Sequence, residues 1–182
     1  MNELELLLER WANFYLLTAA AAATLIGLLF VIITLAAERG VKWEDATGKI
    51  NKINAYLTPT VIYFASGLFL AALLTFPNHT RLTATLCICL AGVVGLVYSG
   101  TTLIGGNDKK SFEERQDQIY YAIVPFVGYG LVVVGAVLLL HHPQRGLTLV
   151  AVGMLTLLTL GIRNSWAIAI DVSTRPGRQN SK

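Results

Sequence analysis

The sequence predicts an all-α integral membrane protein with five transmembrane helices. Three observations carry that reading. Trp11 to Ala37 runs WANFYLLTAAAAATLIGLLFVIITLAA without a charged side chain. At a rise of about 1.5 Å per residue it can cross a hydrocarbon layer of roughly 30 Å. Four further apolar stretches follow, separated by polar segments. Only 14% of the residues are charged and 54% are hydrophobic. A soluble domain carries roughly 25% charged residues, so this composition excludes one. The formal charge of +3 collects in loops, which points to membrane topology and away from nucleic acid.

Span one covers residues 11–37. Before it, MNELELLLER is acidic and offers neither a basic n-region nor a small-residue cleavage site, so it does not read as a secretory leader. Residues 3–10 are predicted to form a short interfacial turn. Ala19, Ala23 and Gly27 fall four apart and make one stripe of span one small, a surface that lets helix backbones approach closely in lipid.

The polar segment from Glu38 to Lys52 follows, with a short surface helix expected over WEDATGKINKINAYL and Trp43 and Tyr56 as interface anchors. Span two covers residues 58–76. Thr58 fits the N-cap and Pro59 the first helical position. The turn Pro77-Asn78-His79-Thr80-Arg81 leads into span three, residues 82–104, so spans two and three should form a tight antiparallel hairpin. After Gly105-Gly106-Asn107 comes DKKSFEERQDQ, where Ser111 and Glu114 have capping-box spacing. Span four covers 119–140, and Pro125 should kink it or loosen its first turn. The turn from His141 to Gly146 leads into span five, residues 147–170. Residues 1–172 make one membrane domain, and 173–182 a basic tail.

Arg10, Arg81 and Arg145 lie on one side of this arrangement. Arg39, Lys42, Lys49, Lys52, Lys109, Lys110, Arg115, Arg175, Arg178 and Lys182 lie on the other. The positive-inside bias therefore predicts the N-terminus outside and the C-terminus in the cytoplasm. At one fixed offset Pro59 matches Pro125, Tyr63 matches Tyr129, Pro77 matches Pro143, Gly95 matches Gly161 and Ser99 matches Ser165. Either the two hairpins are parallel copies, an arrangement used by transporters, or both follow the common grammar of membrane hairpins.

Arg163 is the most informative polar residue, with Asn164 and Ser165 after it. A charge inside a span faces the bundle interior or water and marks a functional candidate. The alternative is that it snorkels to the headgroups near Trp166. Convergence of Arg163, Asn164, Tyr63 and Tyr129 on one cavity would favour transport, and dispersal an accessory role. His79, His141 and His142 all fall on the outer side, where they could titrate with external acidification. Together they could instead hold a metal, but no cysteine or carboxylate is placed to complete a zinc site except the distant Glu3, Glu5 and Glu9, so solvated turn histidines are the better reading. Cys87 and Cys89 lie two apart on one helix and point to different faces, so no disulfide joins them. Asn78-His79-Thr80 matches a glycosylation sequon held too close to the bilayer for use. Gly92, Gly95, Gly128, Gly130 and Gly135 mark helix contacts, or, for Gly128 to Gly130 close after Pro125, a flexible hinge in span four. No HExxH, Gly-x-Ser-x-Gly or phosphate-binding glycine loop occurs, so neither catalysis nor a cofactor or metal is expected.

WANFYLLTAAAAATLIGLLFVIITL and the closing GIRNSW resemble a group of small multi-pass bacterial membrane proteins of unassigned activity. Some of these carry a label as modulators of a membrane-bound ATP-dependent protease. The resemblance covers the first and last spans and implies a bacterial inner (plasma) membrane. Two functions follow as expectations. The first is a homo-oligomeric channel or transport-like protein for a small ion or solute, with Arg163, Asn164, Ser165, Tyr63, Tyr129 and Pro125 as permeation or polar-cluster residues. The second is a non-catalytic accessory subunit that binds another membrane protein through Ala19, Ala23 and Gly27.

Overall fold

A computed structural model describes residues 3–38, 52–77, 80–105 and 123–174. Among them the chain is all α-helical: α1 (Glu3–Glu38), α2 (Lys52–Thr75), α3 (Arg81–Gly105), α4 (Val124–Leu138) and α5 (Pro143–Thr174). Helices α1, α2, α3 and α5 are long and apolar enough to cross a membrane, whereas α4 is apolar but shorter. Its 15 residues reach only about 22 Å, short of a hydrocarbon core of about 30 Å. The expected surface helix near Trp43, the cap at Ser111 and Glu114, His79, and the tail from Arg175 lie outside the described residues.

Helix α1 begins earlier than expected. Residues 3–10 form no separate turn but the first turns of one 36-residue helix. Leu4 is buried in the same cluster as Leu139 and Leu147, with Leu7 and Leu8 packed against it. That shared cluster ties the start of α1 to the turn between α4 and α5. Further along, Tyr15, Thr18, Ala22, Leu29 and Ala36 form a narrow buried stripe at heptad-like spacing.

Helix α2 also starts early, at Lys52, so Thr58 is not its cap and Pro59 sits inside it. A proline there leaves one backbone carbonyl without its helical partner, a defect that packed membrane helices tolerate. Pro59 is buried. Chain reversal at Pro77 puts Thr80 at the cap of α3. The Thr83 N–H donates to Thr80 Oγ1 (3.2 Å) and the Thr80 N–H donates to Thr83 Oγ1 (3.0 Å), a reciprocal cap built from two threonines. In α4, Pro125 falls in the first turn, where a missing N–H costs nothing. Helix α5 opens on Pro143 and continues unbroken past Arg163 to Thr174.

Packing centres on α5, which lies along α4, α2 and α1, while α3 lies along α4. The expected tight hairpin of spans two and three is absent: α2 and α3 share a short turn but touch little. An apolar groove of about 450 Å³ separates them, lined among others by Ile62, Phe69, Leu73, Cys87 and Leu90. Helices α4 and α5 instead meet backbone to backbone. A Cβ built on Gly135 would stand 2.8 Å from the Gly146 carbonyl oxygen. One on Gly153 would stand 2.7 Å from that of Gly128. Only glycine permits so close an approach.

Candidate functional site

Hydroxyl and aromatic groups gather where α2, α3, α4 and α5 cross. Tyr63 of α2 and Tyr129 of α4 bring their ring centroids to 6.4 Å at a tilt of 54°. Both are buried, together with Leu157 and Leu160 of α5, and Leu96 and Val124 pack against them. The Tyr129 hydroxyl shares a 2.8 Å hydrogen bond with Ser66 Oγ, and Ser66 lines the groove between α2 and α3. Tyr98 of α3 is near enough to interact electrostatically with both tyrosines.

Glycine makes room for these rings. A methyl group on Gly95 would overlap the Tyr129 ring, and one on Gly161 would overlap the Phe64 ring. Thus α3 meets α4, and α5 meets α2, by the same device of an aromatic ring laid on a bare glycine. Ser99 Oγ donates to the Gly95 carbonyl (2.9 Å), and Ser165 Oγ donates to the Gly161 carbonyl (2.8 Å). Those bonds spare each serine an unsatisfied hydroxyl in an apolar bundle.

The remaining polar candidates disperse. Consecutive helical residues point about 100° apart, so Arg163, Asn164 and Ser165 face three directions. Arg163 is exposed and stands at a shallow groove with Val124, Leu155 and Thr159. Asn164 is 2% exposed, and its Oδ1 has no hydrogen-bond partner. Tyr63 and Tyr129 come together as a pair, but Arg163 is not with them.

His141 and His142 are exposed at the α4–α5 turn and share an open cavity with Glu3, Gln144 and Arg145. Glu3, remote in sequence, therefore stands near the histidines, although it is paired with Arg81. Among the described residues no three His, Cys, Asp or Glu side chains are grouped to hold a metal. Ala19 packs against the core of its own chain, whereas Ala23 is exposed and a Cβ on Gly27 would meet nothing within 4 Å. Cys87 and Cys89 are free and differ in exposure.

Sequence reasoning missed Ser66 and Tyr98. Each lies three residues beyond a residue already singled out, Tyr63 and Gly95, and so on the same helical face. Comparison with family models, with characterised proteins and with solved structures gives no match.

Proposed function

We propose that this protein is a non-catalytic accessory subunit that binds another membrane protein through the outward small-residue face of α1. One observation carries the reading. Ala20, Ala23, Thr24 and Gly27 follow one another at helical spacing on an exposed surface, and among the described residues nothing lies within 4 Å of a Cβ built on Gly27. Only 17% of the most apolar part of α1 is buried. Small residues serve close helix approach in lipid, and here that approach is unused among the described residues. Dispersal of Arg163 away from the tyrosines points the same way, since no single cavity gathers the polar groups.

The bundle is read as five spans with the N-terminus outside and a cytoplasmic tail, in a bacterial inner membrane. The loop charges support that orientation, and the uncharged stretch from Ile119 to Leu140 supports a fifth span. The matching glycine–ring crossings and serine bonds support reading the two hairpins as parallel copies. Likeness of the first and last spans to proteins labelled as protease modulators fits a regulatory partner.

One observation favours the channel reading instead: Ser66, hydrogen-bonded to the buried Tyr129, sets a hydroxyl on the wall of the otherwise apolar α2–α3 groove, which a ring of copies could enclose. Co-purification separates the two readings. Gly27→Leu and Ala23→Leu should each release the partner, whereas a partner retained by both variants would remove the α1 face from function. Ala19→Leu is a poorer probe, because Ala19 already packs inside the chain.

A further inference from the structure

We infer that the groove between α2 and α3 binds a neutral prenyl-tailed quinone, whose carbonyl accepts a hydrogen bond from Ser66. One hydroxyl proton at this groove is left over. Tyr129 is fully buried, and among the described residues its hydroxyl meets one partner, Ser66 Oγ at 2.8 Å. Were Ser66 the donor, the phenol proton would be buried without an acceptor, the costlier arrangement. Tyr129 therefore donates and Ser66 accepts, which leaves the Ser66 proton to be placed. Ser99 and Ser165 spend theirs on the carbonyl four residues back on their own helices. Ser66 makes no such bond among the described residues, and it lines the groove.

The chemistry around that donor selects the ligand. A volume of about 450 Å³ is that of a small-molecule site. Ile62 and Phe69 stand one helical turn to either side of Ser66 on the same face. Phe69 is 55% exposed, and Leu90 across the groove is 68% exposed. A hydrocarbon would leave the Ser66 proton unmet, and an alcohol would bring a second proton with no acceptor, whereas a carbonyl satisfies it. Depth narrows the class further. Ser66 lies nine residues from each end of the apolar segment Leu57–Thr75. That is about 13 Å along the helix either way, near the middle of a hydrocarbon layer of about 30 Å. Phospholipid ester carbonyls lie at the edges of that layer, and a carboxylate is costly at its centre. The carbonyls of a neighbouring helix are engaged in its own backbone bonds. A neutral quinone dissolves in the interior, can set its flat ring against Phe69 and can run its tail along the groove.

The test is equilibrium binding to the full chain in lipid nanodiscs, corrected for partition into empty discs. The probes are a decyl-substituted methylnaphthoquinone and the matching decyl-substituted methylnaphthalene, which has a similar shape and no carbonyl. The wild type should bind the quinone about fivefold more tightly, the ratio of one ordinary hydrogen bond. Ser66→Ala should remove that ratio and leave the affinity of the hydrocarbon unchanged. The infrared carbonyl band of the bound quinone, lowered in the wild type, should return in Ser66→Ala to its position in empty discs. Ala65→Trp, which fills the groove, should weaken both probes. Equal affinities in the wild type would make the groove an ordinary acyl-chain bed and overturn the proposal. Exclusion of both probes, as by a second copy seated there, would overturn it too. So would an unaltered ratio or carbonyl band in Ser66→Ala, or unaltered binding in Ala65→Trp.

Discussion

Helices α4 and α5 close into a hairpin that α2 and α3, joined by a similarly short turn, do not. The offset that aligns Pro59 with Pro125 shows why. It places Ile62 opposite Gly128, Phe69 opposite Gly135 and Cys87 opposite Gly153. In α4–α5 those glycines put backbone against backbone. In α2–α3 the three larger residues line the groove that separates the helices. Bulk at a few interfacial positions therefore decides whether a membrane hairpin packs on itself or on its neighbours. Where burial of apolar surface cannot discriminate, because lipid is as apolar as leucine, steric fit has to.

The largest effect should come from spoiling the tight hairpin. A Cβ on Gly146 would stand 2.7 Å from the Gly135 carbonyl oxygen and 2.8 Å from the Leu139 nitrogen, so backbone would have to move. Gly146→Val is expected to destabilise by about 3 kcal/mol or more, the upper end for overpacked sites. Unfolding in mixed micelles with increasing dodecyl sulfate would measure it. If Gly146→Val unfolds at the wild-type midpoint, the contact between glycine backbones is not what closes the hairpin.

Gly95→Ala comes next, at roughly 1–3 kcal/mol, because the new methyl displaces the Tyr129 ring, which can shift where a backbone cannot. Gly130→Ala on α4 is the control: a Cβ there meets nothing within 4 Å. It should be neutral or stabilise by up to about 1 kcal/mol through helix propensity. Equal behaviour of the two alanine variants would break the distinction between glycines that carry contacts and glycines that do not. Tyr129→Phe keeps the ring and removes its hydrogen bond to Ser66. Its cost should be about 0.5–1.5 kcal/mol by the same titration. Ala65→Leu, which points into the open α2–α3 groove, should shift stability by less than about 0.5 kcal/mol. A loss comparable to that of Gly95→Ala would mean that α2 and α3 are closer than the groove allows.

Much of the architecture was legible in the residue order. The uncharged run of α1 and the bounds of α3 followed from hydropathy, and Pro77 marked a helix stop, whereas Pro143, read as part of a turn, opens α5. Three things were not legible. Residues 3–10 carry three glutamates and an arginine among their leucines, so composition could not reveal that Leu4 is buried in one cluster with Leu139 and Leu147 and that the helix starts there. Thr58-Pro59 has the grammar of a helix start, but tertiary packing carries α2 through it. Helix partners were also hidden, since Ile62 and Gly128 are equally acceptable in an apolar span and differ only in how near a neighbour can come.

The candidate site was legible as pairs and not as a place. Tyr63 and Tyr129 stood out through their common offset and do meet. Arg163 stood out through its charge, but its direction depends on which sides of α5 are already covered, and α4, α2 and α1 cover the others. Ala19, Ala23 and Gly27 formed one stripe on paper. Packing divides that stripe, turning Ala19 toward the core and leaving Ala23 and Gly27 outside.

The most direct test of the accessory reading is the native mass of the wild type and of Gly27→Leu, extracted with their surrounding lipid in a membrane-excising polymer. One wild-type subunit contributes 19.7 kDa. The account predicts a heavier wild-type particle that contains a second kind of polypeptide, and a Gly27→Leu particle that has lost it while the subunit stays folded. A particle made only of copies of this chain, with the same mass in both forms, would contradict the account and return attention to an oligomeric pore.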